Sequence, residues 1–177
     1  MRRLSYRSGS WCNNHSEPYI RLTRSFLCFD VAFGGILDSI SRLFNFKLLR
    51  VLDIGLIQFY QFPIGLLKLI HLRFLAVTAA CELPSSISEL WSLQTFVVYG
   101  PWLSRRCNKA PTLPPEIWNM SHLRHVSLSA ACYLPDPPSP KTMKGILRFY
   151  KIFEHFGKSV PQAAPGKSLT ASIIYRS

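Results

Sequence analysis

The sequence predicts an α/β solenoid, in which short parallel strands line a concave face and helical, 3₁₀ or irregular segments return along the other side. Three observations predict it. Four segments carry large apolar residues at their first, fourth and sixth positions: LRVLDI at 49–54, LRFLAV at 72–77, LQTFVV at 93–98 and LRHVSL at 123–128. A proline stands nine residues before the last three of these, at Pro63, Pro84 and Pro114, with apolar residues three and six positions after each. The segments recur at intervals of 23, 21 and 30 residues, the range of stacked structural repeats. At 177 residues, 48% apolar and 17% charged, the chain can bury a core and is not a disordered polymer.

Each element follows in order. Leu49/Leu52/Ile54, Leu72/Leu75/Val77, Leu93/Phe96/Val98 and Leu123/Val126/Leu128 are spaced as the inward face of short strands. One parallel sheet is therefore expected, with strands centred on 51–53, 74–76, 95–97 and 125–127. Each proline ends extended chain, and Leu66/Leu69, Ile87/Leu90 and Ile117/Met120 then turn it back through a helical or 3₁₀ segment. Before Leu49 the same spacing persists without its proline, through Ile40, Leu43 and Phe46. A helical bundle would need unbroken 3.6-residue periodicity, which Pro63, Pro84, Pro114 and Pro115 interrupt. One unit cannot bury its apolar face alone, whereas stacked units share a continuous core. Trp91 and Trp118 stand near equivalent points of the return segments and are expected as wedges between neighbouring turns. The extra length of the third repeat, GPWLSRRCNKAPT at 100–112, is polar and belongs on the surface.

The repeat register is expected to stop after Leu134-Pro135, where PDPPSP makes a turn-rich break. Beyond it, KGILRFYKIFEHFGKS at 144–159 reads as an amphipathic basic helix, with Ile146, Phe149, Tyr150 and Phe153 on one face. Three readings of this tail compete: a C-terminal cap, a membrane-surface helix, and a sequence produced by a frame shift or missed splice, the last being preferred.

Charge and cysteines narrow the function. Lys and Arg number 21 against 9 Asp and Glu, a net +12. Residues 1–24 hold five basic and one acidic, 25–140 nine and seven, and 141–177 seven and one, so the excess sits on the flanks. No nucleic-acid face is expected on the folded part. Cys12, Cys28, Cys81, Cys107 and Cys132 form no CxxC and are odd in number, which reads as reduced thiols of a cytoplasmic protein. The start, MRRLSYRSGSWCNNH, has no apolar h-region behind its charge. The longest uncharged apolar stretch, 54–67, contains Gln58, Gln61 and Pro63 and falls short of the roughly 20 residues that span a bilayer. No catalytic residue, metal or cofactor is expected. His15, His71, His122, His125 and His155 match no catalytic or metal-binding spacing, and APGKS at 164–168 has Pro161 where a phosphate loop needs Gly.

What remains is a surface. The second positions of the strands read Arg50, Arg73, Gln94 and Arg124, and the third Val51, Phe74, Thr95 and His125. Equivalent positions of adjacent parallel strands lie about 4.8 Å apart. Arg50 and Arg73 should therefore be neighbours, with Arg124 two strands beyond across Gln94. They read either as solvated arginines or as a cationic stripe able to pair bidentately with carboxylates. Arg50, Asp53, Arg73, Phe74, Gln94, Arg124 and His125 are the candidate concave-face contacts.

The phrases "LLRVLDI", "ELPSSISELWSLQTFVV" and "LPPEIWNMSHLRHVSL" carry a resemblance. They are similar to the leucine-rich repeat region of plant nucleotide-binding, leucine-rich-repeat immune receptors, in particular the late blight resistance group of the nightshade family. RRLSYRS at 2–8 and RSFLCFD at 24–30 resemble phrases that follow the winged-helix part of such receptors. The resemblance implies a lead-in over 1–30, about four to five leucine-rich repeats over 31–138 and a divergent basic tail over 139–177. It further implies a non-enzymatic module whose partner is a protein, either the nucleotide-binding module of the same or a related receptor, or a pathogen effector. The runner-up is a free-standing basic repeat protein that binds nucleic acid or an acidic membrane surface through its flanks. Steep salt dependence would mark that alternative.

Overall fold

The chain folds into one eight-stranded sheet whose strands follow chain order. The computed structural model describes residues 2–6, 22–28, 43–59, 61–100, 111–129, 132–136, 148–152 and 171–174. The strands are β1 Arg2–Tyr6, β2 Thr23–Cys28, β3 Val51–Phe59, β4 Phe74–Ala79, β5 Thr95–Tyr99, β6 His125–Ser129, β7 Arg148–Ile152 and β8 Ala171–Ile174. Every pair from β1 to β7 is parallel, and only β7 and β8 run antiparallel. This is a leucine-rich repeat solenoid, with the four expected strands in the expected order.

The repeat chemistry accounts for the geometry. The first, fourth and sixth residues of all four segments are buried and belong to one apolar cluster, from Leu49, Leu52 and Ile54 to Leu123, Val126 and Leu128. Burying a side chain of this size contributes about 1.5–3 kcal/mol, which one isolated turn could not collect. The return segments are 3₁₀ helices: η1 Ile64–Lys68, η2 Ser85–Glu89 and η3 Pro115–Asn119. Pro63, Pro84 and Pro114 precede them in extended conformation. A proline suits that place because its fixed φ starts a turn and its missing N–H is not needed there. Leu49, Leu72, Leu93 and Leu123 each donate their N–H to the carbonyl three residues earlier, at 2.9–3.1 Å. The three-residue apolar spacing thus faces the core at each step of a tight helical path. At two of the turns a second link recurs. The N–H of Leu83 donates to Thr112 O and that of Leu113 to Tyr133 O, both at 3.0 Å, so the residues before Pro84 and Pro114 are held to the next turn.

Four findings go beyond or against the expectations. The sheet extends past 31–138, because β1 and β2 come from the lead-in and β7 from the tail. Phe26 of β2 meets Phe46 edge-on, ring centroids 6.4 Å apart, which ties the lead-in to the repeat core. The tail is corrected at 148–152: this stretch is a strand pairing Arg148 with His125 and Phe149 with Val126, not part of a helix. The pair Ile146 and Phe149 is spaced equally well for a helix face and for the first and fourth positions of one more repeat. Pairing with β6 decides between the two. The rest of 144–159, including Ile146, Phe153 and Phe156, lies outside the described residues, as do Ile40, Cys12, Cys107, His15, His155, residues 101–110 and 164–168. Trp91 is the second correction. Trp118 is 8% exposed within the core, but Trp91 is 55% exposed and lies outside the core. Counted from the proline, Trp118 is at the fourth position, shared with buried Leu67, whereas Trp91 is at the seventh, shared with exposed Ile70. Among the described residues no helix is long and apolar enough to cross a membrane.

Candidate interaction face

Backbone bonding at the start of each strand sets the candidate residues in columns. Arg73 N–H donates to Arg50 O at 2.7 Å, Gln94 N–H to Arg73 O at 2.8 Å and Arg124 N–H to Gln94 O at 2.9 Å. The same carbonyls also accept from the next residue of the following strand: Phe74, Thr95 and His125 donate to Arg50, Arg73 and Gln94 at 2.9–3.0 Å. The carbonyls of Arg50, Arg73 and Gln94 therefore hold two donors each, which leaves little freedom for register slip. Arg50, Arg73, Gln94 and Arg124 form one column. Val51, Phe74, Thr95 and His125 form the next.

The column has a further member outside the four leucine-spaced segments. Arg50 N–H donates to Arg24 O at 2.8 Å, so Arg24 of β2 heads the series. Its signal was present in TRSFLC at 23–28, which matches LRVLDI position for position if Thr23 and Cys28 stand in for Leu and Ile. Thr23, Phe26 and Cys28 are indeed buried at the first, fourth and sixth positions. Arg24, Arg50, Arg73 and Arg124 are all exposed, and Gln94 is half-buried. Among the described residues, none of these four arginines has an ion-pair partner.

Asp53 does not join the column. It lies further along β3, in line with Ala76, Val97 and Ser127. Its Oδ1 accepts the Gly55 N–H at 3.1 Å, so the carboxylate serves the local backbone. Ala76 and Val97 are buried without joining the main core cluster, whereas Asp53 and Ser127 of the same row are half-buried. Beyond them the Thr78 hydroxyl donates to Gly55 O. Tyr99, paired with Thr78, reaches across β4 to β3: a methyl on Gly55 would stand 2.7 Å from Cε2 of its ring. Gly55→Ala is therefore expected to displace Tyr99 at a cost of about 1–3 kcal/mol, the range for overpacking, read as a lowered urea midpoint. A loss below about 0.5 kcal/mol would mean that the ring swings aside freely. What the face offers to a partner is concentrated at the strand starts.

No group of three or more His, Cys, Asp or Glu placed to hold a metal occurs among the described residues. Exposed His122 lies on the return path and half-buried His125 in β6.

Comparison with known proteins gives a consistent set of relatives. The chain is 40% identical over 100 residues to late blight resistance protein R1-A of Solanum demissum, covering 55% of this chain and 7% of that protein. It is 34% identical over 141 residues to a putative late blight resistance protein homolog of the same plant, covering 77% of this chain and 9% of the relative. A third, also a putative late blight resistance protein homolog of that plant, is 37% identical over 94 residues, or 51% of this chain and 6% of the relative. The chain thus spans less than a tenth of the length of these relatives. No known protein-family profile matches it.

Proposed function

The chain is a relative of the R1-like late blight resistance proteins, of the nucleotide-binding leucine-rich-repeat class, and from that kinship we propose that it is a non-enzymatic interaction module of a plant immune receptor. On this reading 1–30 lead into the repeats, 31–138 form them and 139–177 follow as a basic tail. The module works in the cytoplasm, needs no cofactor and contributes to defence by contact with protein. The observation that carries the reading is the column of exposed arginines, Arg24, Arg50, Arg73 and Arg124, left without acidic partners among the described residues. Unpaired guanidinium groups held at a fixed spacing fit a carboxylate-bearing surface. Gln94 within the column and Phe74 and His125 beside it supply apolar and hydrogen-bonding contacts, and Asp53 holds the backbone of its own strand at Gly55. The acidic surface belongs to the nucleotide-binding module of the same or a related receptor, or to a pathogen effector.

The test is binding in trans to a purified nucleotide-binding module, measured by titration calorimetry. Arg50→Glu with Arg73→Glu is expected to weaken binding by about 2–5 kcal/mol if those pairs are desolvated. Arg105→Glu with Arg106→Glu changes the net charge equally within the third-repeat insertion and should cost far less. Equal small losses would reduce the effect to bulk electrostatics and remove the proposal. A steep fall of affinity for DNA with salt would instead favour a nucleic-acid binder.

A further inference from the structure

Beside the arginine column runs a second exposed feature. Leu48, Ile70 and Trp91 lie at the turns leading into β3, β4 and β5, and are 41%, 42% and 55% exposed. His122, at the turn into β6, extends the series, with its ring centroid 6.2 Å from that of Trp91 and the planes near perpendicular. These residues precede the column by only two or three positions: Leu48 before Arg50, Ile70 before Arg73, Trp91 before Gln94 and His122 before Arg124. Three residues of chain reach at most about 11 Å. An apolar ridge and a cationic column therefore run side by side across successive repeats, within the width of one α-helix, about 10–12 Å. Trp and Arg are the residues most enriched among binding hot spots, and solvent-exposed apolar rows of this kind mark contact surfaces.

Resting on the proposed interaction role, we infer that this rim takes an acidic amphipathic α-helix of a protein partner, lying across the strands. Charge and pitch select that occupant. The arginines need carboxylates, and the ridge needs apolar side chains next to them. The repeats step by about 4.8 Å and a helix by about 5.4 Å per turn, so one side chain per turn meets each repeat. Over the three steps from Arg50 to Arg124 the mismatch is about 2 Å, which a flexible arginine stem absorbs. An extended peptide presents same-side residues only every 6.8 Å or so and drifts by about 6 Å over the same distance. The neutral Gln94 sets a register as well. Glutamates at i, i+4 and i+11 of the helix face Arg50, Arg73 and Arg124, and a neutral polar residue at i+7 faces Gln94.

The probe is a fluorescein-labelled helical peptide of about 16 residues, three to four turns, with Glu at i, i+4 and i+11, Gln at i+7 and Leu at i+1, i+5 and i+8. A scrambled peptide of equal composition is the control. Anisotropy titrations with the full chain are expected to show the periodic peptide binding at least about tenfold more tightly than the scrambled one. Trp91→Ala should erase most of that difference, as removal of a hot-spot residue does. Because Trp91 is mostly exposed, its removal should leave the melting temperature unchanged. Equal affinity for the two peptides, an unaffected Trp91→Ala chain, or no binding of the periodic peptide overturns the helix inference. If Arg50→Glu with Arg73→Glu still weakens binding of the nucleotide-binding module in those cases, the interaction role survives without the helix. If it does not, both fall.

Discussion

Leu75→Asp is expected to abolish cooperative folding. Leu75 is fully buried in β4, paired with Leu52 of β3 on one side and Phe96 of β5 on the other, both fully buried as well. Deleting a buried leucine costs about 2–5 kcal/mol through lost burial and the cavity left behind. The carboxylate adds several kcal/mol more, since nothing in a wall of Leu, Ile and Phe can pair with it. Together these approach or exceed the roughly 5–15 kcal/mol that holds a domain folded. In a solenoid each turn is supported only by its neighbours, so damage at β4 separates β3 from β5. Far-UV circular dichroism of the variant should show no sigmoidal thermal transition. Leu56→Asp is the comparison: Leu56 is 39% exposed, within the stretch where the β3–β4 register shifts, and the same change there should cost only about 0.5 kcal/mol. A Leu75→Asp chain that melts like the parent would mean that the repeat core is not shared between turns.

The second large effect is expected at Gly65. It lies in η1, and a methyl built on it would overlap the ring of Phe44, in the preceding turn. The ring has to move to make room, and Phe44 is itself packed against the core. Gly65→Ala should therefore destabilise by about 1–3 kcal/mol, although alanine ordinarily favours a helical segment over glycine. Phe44→Ala removes the obstacle. The double variant should then be markedly more stable than the sum of the single changes allows, a coupling of about 0.5–3 kcal/mol in urea denaturation. Additive losses would show that the ring and the glycine do not meet. At the corresponding positions of the next two turns the residues also trade size: Leu67 with Ser86, then Ser88 with Glu116.

The amino-acid sequence alone determined the strands from β3 to β6, their order, the places of the return segments and the buried residue at almost every core position, while the structure decided that those segments are 3₁₀ helices. It could do so because a solenoid repeats one local solution: the same spacing of Leu, the same proline and the same three-residue steps recur, and each repeat's evidence reinforces the others. From the same count it placed Arg50, Arg73, Gln94 and Arg124 in one column. Single-copy features were not legible in this way. TRSFLC lost its leucines to Thr and Cys, so Arg24 stayed hidden until β2 paired with β3. Ile146 and Phe149 suit a helix or a strand equally, and hydrogen bonding of β7 to β6 decided the matter at 148–152. Trp91 and Trp118 differ by three places in the repeat, and only the path of the return segment sends one to solvent and the other into the core. Asp53 looked like a displayed charge, yet it bonds the Gly55 backbone beneath the reach of Tyr99. In each case the outcome depends on which atoms of a neighbouring turn occupy the space beside the residue. Local spacing reports the period of the chain, but side-to-side contact between turns is a property of the assembled sheet.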